Sequence, residues 1–172
     1  MLDFKTLWNQ ALPFHDYLAA STKHKGLWEG IYRLARIPEW ALAVVPEGEK
    51  RRLLVLAEDW CGDASNTVPV MARWTELAAG MDLRVLRRDE HPAVMDQYLT
   101  DGSRSIPIAI VLDQDFREIG HWGPRPAELQ AFVMENLGKV PKAELYPQTR
   151  RWYARDHGET TLRGILAVMR PR

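Results

Sequence analysis

Cysteine is nearly absent from the 172 residues: Cys61 stands alone. No internal disulfide can form, and no thiolate-rich zinc site can be assembled within one chain. An excess of one charge is also lacking, with 23 basic against 23 acidic residues and no long run of either sign. That balance carries no electrostatic footprint for nucleic acid or an anionic membrane, so neither partner is expected. Long hydrophobic runs are missing, and the first residues include Asp3 without reaching a continuous apolar stretch. Neither a membrane span nor a secretory signal is expected, and the cytoplasm is the expected location. His15, His24, His91, His121 and His157 are scattered, with no ligand spacing such as His-Glu-x-x-His. They read as surface or packing residues, and no metal is expected.

What is present is an apolar fraction of 46%, enough to build a core at this length without staples. One domain is expected, with a helical segment over 1–50, a core over 51–138 and a C-terminal extension over 139–172. Residues 2 to 45 read as helical from Leu2, Leu7, Trp8 and Leu12, and then from Leu27, Ile31 and Leu34. Pro38 is expected in the first turn of a further short helix through Trp40 and Val44. Leu53-Leu54-Val55-Leu56-Ala57 is a continuous apolar run of strand length, the pattern of a central strand covered on both faces.

From Cys61 to about Ala79 the spacing turns helical, with Pro69 expected to bend the helix. A second strand is expected at Leu83–Leu86, a short helix at Pro92–Leu99, and a hairpin from Ile106–Leu112 and Phe116–Trp122. Gly123-Pro124-Arg125-Pro126 leads into a helix ending near Gly138. The tail reads as one further helix with a mobile basic end, Arg170-Pro171-Arg172. Strands and helices in this order predict an α/β fold, a mixed sheet flanked by helices. Trp8, Trp28, Trp40, Trp74 and Trp152 fall in helical patterns, where packing is the ordinary role.

Cys61 is therefore expected just ahead of a helix and beyond the carboxyl end of a central strand. Free helix amides and the positive dipole end favour a thiolate there, and ligands gather at that edge of such sheets. Over about residues 51 to 138 the chain resembles the thioredoxin superfamily on two segments. One is Ala57-Glu58-Asp59-Trp60-Cys61-Gly62-Asp63-Ala64, similar to the Trp-Cys-Gly-Pro-Cys segment that opens the first core helix of that family. The other is Arg104-Ser105-Ile106-Pro107, similar to its cis-proline loop. Within the superfamily, the chain most resembles bacterial proteins with a Trp-Cys-Gly-Asp-Ala motif and an added N-terminal helical segment.

The resemblance implies that Cys61 is the attacking thiol, that Pro107 is cis, and that Ile106 offers backbone hydrogen bonds to an extended substrate. It implies substrate contacts from Trp60, Gly62, Asp63, Ile106, Pro107, Trp122, Gly123 and Arg125. Gly120 and Gly123 would allow close backbone approach. Three departures qualify the chemistry. Ala64 stands where the family has a resolving cysteine, Val55 where it often has a buried acid, and Asp63 where it has proline. The charge of Asp63 opposes ionisation of Cys61.

The resulting expectation is a monothiol redox protein acting on a protein disulfide or a low-molecular thiol. It needs no bound cofactor, and an external thiol such as glutathione resolves the Cys61 adduct. Two alternatives stay open: a non-catalytic peptide- or protein-binding module, and a redox sensor that passes through sulfenic acid. Glu58, Asp59, Arg104 and Arg125 read as solvated surface charges. Ser65 and Thr67 read as capping or local backbone partners.

Overall fold

The computed structural model describes residues 1–170. The chain opens with helices α1 (Phe4–Gln10), α2 (Phe14–Ala20) and α3 (Lys25–Leu34). Asp3 caps α1 by accepting the Thr6 amide N–H at 3.1 Å, which satisfies one of the free donors of the first turn. The helical region expected over residues 2–45 is interrupted at Pro13 by a two-residue strand, β1 (Leu12–Pro13), paired antiparallel with residues 84 and 85. Pro13 sits there on a sheet edge, where a missing N–H is tolerated. The Pro38 turn is also shorter than expected. It is a single 3-10 turn, Glu39–Ala41, capped by Pro38. Trp40 on that turn is exposed, with the Arg163 guanidinium 4.2 Å from its ring centroid, and does not join the core.

Strands β2 (Arg51–Ala57), β3 (Met81–Arg87), β4 (Ile108–Leu112) and β5 (Glu118–Trp122) complete a five-stranded sheet in the order β1-β3-β2-β4-β5. β2 and β3 are parallel, with Leu53 opposite Leu83 and Val55 opposite Val85. β4 runs antiparallel to β2, and β5 to β4. Leu53 to Ala57 are fully buried, so the side chains on both faces of β2 meet protein, as an apolar run without alternation requires. Each leucine so buried contributes about 1.5–3 kcal/mol.

β4 begins at Ile108, two residues later than expected, because Pro107 has no N–H to give to a ladder. β5 begins at Glu118, not Phe116. The Asp113 carboxylate accepts the Asp115 and Arg117 amides at 2.8 and 2.9 Å, and Phe116 takes φ +62° in the turn.

Helix α4 (Gly62–Leu77) joins β2 to β3 and runs through Pro69. Helix α5 is only Pro92–Met95, followed by turns. Helix α6 (Ala127–Asn136) precedes the tail, which forms two helices instead of one: α7 (Lys142–Asp156) and α8 (Glu159–Met169). They are separated by His157 and Gly158, both in the left-handed region, at φ +54° and +80°. A Cβ on Gly158 would lie 2.6 Å from Val70 Cγ1, so space and conformation both demand glycine. The basic end expected beyond Arg170 lies outside the described residues.

α3 packs on α4, and α8 lies against β4 and β5. Trp28 and Trp74 are fully buried. Their indole N–H groups donate to the carbonyls of Asp59 and Ala41 at 3.0 and 2.7 Å, so neither polar tip is orphaned. Among the described residues, no helix is long and apolar enough to cross a membrane.

Candidate functional site

β2 ends at Ala57, and four residues later Cys61 is the N-cap of α4, in extended conformation. The two acids between are anchors, not a solvated rim. Glu58 and Asp59 are both buried. Glu58 accepts the Asp89 amide at 2.9 Å, and Asp59 accepts the amides of Thr22 and Lys23 at 2.9 and 3.0 Å. Burial pushes the Glu58 carboxyl above its ordinary range. Burial also opposes ionisation of Asp59, but the Lys23 and Thr22 amides and the Arg87 charge outweigh it and hold that group low. The two acids thus tie the motif to the α2–α3 loop and to the end of β3. Trp60 projects outward, 46% exposed, with the Arg88 guanidinium 5.0 Å from its ring centroid.

The Cys61 Sγ accepts the Ala64 amide at 3.5 Å and donates to the Ile106 carbonyl at 3.5 Å. The Ile106–Pro107 and Gly123–Pro124 peptide bonds are both cis. Gly123, at φ +127°, lies so close to the Pro107 loop that a Cβ would collide with the Pro107 carbonyl oxygen. A strand start, a strand end and a helix start therefore meet at the thiol.

Cys61 is 9% exposed. Burial pushes its thiol up to about 11. The Asp63 charge adds to the rise, while the Ala64 and Asp63 amides and the Arg125 charge lower it. Val55, at the position where the resemblance points to an acid, is wholly buried and apolar.

Asp63 is held from both sides. Arg125 Nη2 lies 2.8 Å from its Oδ2, and the Tyr153 hydroxyl donates to its Oδ1 at 2.7 Å. Burial, with Asp63 alongside, raises the Tyr153 phenol far above its usual range, so it stays a donor. Tyr153 lies on α7 and belongs to a second apolar cluster with Leu129, Val133 and Leu145. The ion pair at Arg125 corrects its reading as a solvated charge, whereas Arg104, in a bidentate pair with Asp96 (2.7 and 2.9 Å), is exposed as that reading expects. Ser65 and Thr67 donate to the Gly62 and Asp63 carbonyls, each at 2.8 Å, the local backbone bonding that their residue types suggest.

These groups surround a cleft of about 520 Å³. Of the expected site residues, Trp60, Cys61, Gly62, Asp63, Ile106 and Arg125 line it. Pro107, Trp122 and Gly123 do not. Pro107 and Trp122 are buried, and Gly123 packs behind the Pro107 loop. Trp122 abuts Gly164 of α8, where any side chain on that glycine would strike its indole. The cleft also takes in His24, Arg88, Tyr146 and Arg150, which the motif reading did not single out. Arg88 comes from the turn after β3, while His24, Tyr146, Arg150 and Tyr153 carry no mark in the local sequence, because the packing of α3 and α7 brings them there. Among the described residues, no group of three or more His, Cys, Asp or Glu side chains could hold a metal.

A family model described as Thioredoxin matches residues 11–142. No curated protein matches the chain. Among solved structures the chain is similar to PA1234 from Pseudomonas aeruginosa, a protein of unknown function, at 19% identity and a TM-score of 0.77, covering 98% of each chain. It is similar also to an HIV epitope-scaffold, at 17% identity and a TM-score of 0.75, again over 98% of each. At these identities the likeness shows the fold alone, and it spans the added helices at both ends. With the family match reaching from β1 into α7, and taking in both the Cys61 motif and the Pro107 loop, the chain belongs to the thioredoxin family.

Proposed function

We propose that the chain is a single-cysteine thioredoxin-family protein that forms a mixed disulfide at Cys61 with an external disulfide and depends on an external thiol for release. The observation that supports this most is the position of Cys61, at the start of α4, against the Ile106 carbonyl and on the wall of an accessible cleft. In the forward step the Cys61 thiol loses its proton to solvent. The thiolate sulfur attacks one sulfur of the partner disulfide, and the other partner sulfur leaves as thiolate. A second external thiol, glutathione being one of the right class, then attacks the partner sulfur and returns Cys61 to its reduced form.

The raised thiol and the absence of a second cysteine give this cycle a particular character. At neutral pH attack is slow, because only the thiolate is nucleophilic. Release is also slow, because a thiol of high pKa is a poor leaving group. The adduct at Cys61 is therefore long-lived, which suits capture or carriage of a thiol more than rapid turnover.

Intact-mass spectrometry after incubation with oxidised glutathione at pH 8 tests the reading. One glutathionyl adduct on the native protein, lost on adding reduced glutathione and absent in Cys61→Ser, is the expected result. Modification in urea but never in the folded state would overturn it. That outcome would favour the binding-module reading, which rests on the thiol being buried and donating to Ile106. Under that reading Cys61→Ser retains partner binding.

A further inference from the structure

A second groove, of about 680 Å³, runs between α3 and α7. Its floor is apolar, built from Ile31 and Leu34 of α3 and its C-cap Ala35, with Val70 of α4 and Ala154 of α7. Leu34 is 73% exposed on this face, and nothing in the fold covers it. The groove is continuous with the Cys61 cleft, because Leu27, Asn66 and Arg150 line both.

The charges along the groove have one sign. Arg36 and Arg150 line it, and no Asp or Glu does. Arginines on the far side of the Cys61 cleft are already neutralised: Arg88 by Asp89, Arg104 by Asp96 and Arg125 by Asp63. Arg36 and Arg150 are exposed and make no ion pair among the described residues. In a chain whose total charge is balanced, two free arginines over an uncovered apolar floor complement a ligand that is apolar and anionic along its length.

We infer that the α3–α7 groove is the seat of an acidic polypeptide segment with interspersed apolar side chains. Its apolar residues would lie on Ile31, Leu34 and Val70, its carboxylates against Arg36 and Arg150, and its course would lead to the Cys61 cleft. Charge pairing across the groove rim sets partner choice and encounter rate more than raw affinity. The inference deepens the proposed function by naming the class of protein that brings a disulfide to Cys61, and it rests on that reading only for the chemistry at the thiol.

The test is fluorescence anisotropy on the Cys61→Ser protein, which keeps the groove and removes the thiol. The probes are a labelled peptide of alternating glutamate and leucine and its lysine-leucine counterpart. The acidic peptide is expected to bind, more weakly as salt rises, and the basic one is not. Arg36→Glu combined with Arg150→Glu is expected to weaken binding about tenfold or more. Leu34→Glu, at an exposed position, is expected to weaken it as well. Circular dichroism checks that each variant is folded.

Equal binding of the two peptides, or binding unchanged by these substitutions, would overturn the inference. So would binding of dodecanoate with none of the peptide, or dimerisation through this groove. Separately, Arg36→Glu and Leu34→Glu in the Cys61 protein are expected to leave the glutathione adduct unchanged. Loss of the adduct with peptide binding intact would thus count against the thiol reading alone, and the reverse against the groove alone.

Discussion

Substituting Asp63→Asn removes a negative charge near the Cys61 thiol and leaves Arg125 in place. In the wild-type protein burial and Asp63 together push the thiol to about 11, so at pH 8 about one molecule in a thousand carries the thiolate. A neighbouring charge moves a pKa by about one to three units. Arg125 already offsets part of the Asp63 effect, so about one unit is the expected fall, and thiolate rises about tenfold. A less basic thiolate is also a weaker nucleophile. With a Brønsted slope near 0.45 the intrinsic rate drops about threefold, leaving a net gain of about threefold.

The assay is the rate of reaction with an aromatic disulfide from pH 7 to 11, with a urea unfolding curve to confirm that the variant is folded. Wild-type rates should climb with a slope near one through pH 10 without levelling. The Asp63→Asn curve should lie about threefold above them up to about pH 9.5, begin to bend about one unit earlier, and cross below the wild-type curve between about pH 10.5 and 11. A wild-type curve that bends near the ordinary thiol value of about 9, or superimposable curves, would refute the account of burial and Asp63 acting together.

The raised thiol also makes stability depend on pH. Between the ordinary value near 9 and the folded value of about 11, the unfolded state holds fewer protons than the folded one. Stability therefore falls as pH rises through that window, by up to about 3 kcal/mol relative to Cys61→Ser. Chemical denaturation of both proteins at pH 8 and pH 11 checks this. Tyr153→Phe removes a hydroxyl donor to the mostly buried Asp63 carboxylate and is expected to cost about 2 kcal/mol in urea unfolding, with helix content retained. Gly158→Ala combines left-handed strain with a close approach to Val70, and about 3 kcal/mol of destabilisation is expected in the same assay. A smaller loss than 1 kcal/mol would mean that the α7–α8 turn adjusts easily.

The parts of the fold that depend on local pattern were legible in the sequence. The apolar run Leu53–Ala57 marked β2 because burial on both faces removes alternation, and the motif ending at Cys61 marked the strand-to-helix junction. The misread elements depend on partners far along the chain. β1 is two residues held by pairing to β3, which no periodicity reports. The α7–α8 break rests on a left-handed pair, His157 and Gly158, in a segment whose apolar spacing looks continuous. At the site, Cys61, Ile106 and Arg125 were placed by motif and turn signals. Tyr153 and Arg150 were not, because only the docking of α7 brings them near. Trp122 was misplaced because an aromatic at a strand end can face the cleft or the helix behind it, and only the small Gly164 of α8 decides between them.

The carboxylate of Asp63 is held partly by the core and partly by the C-terminal helices. A carboxylate in the first turn of α4 suits the helix dipole but is mostly buried there, and a buried charge without partners is strongly destabilising. Arg125, just before α6, and Tyr153, on α7, supply those partners. Tyr153 fastens the segment after the core onto the Cys61 motif, so the site and the α7 wall of the apolar groove are one mechanical unit. Loosening α7 with Tyr153→Phe should therefore register at two places. Cys61 becomes more accessible to the aromatic disulfide, and the acidic peptide binds the α3–α7 groove more weakly. A change at one place without the other would show that Asp63 is held independently of the groove.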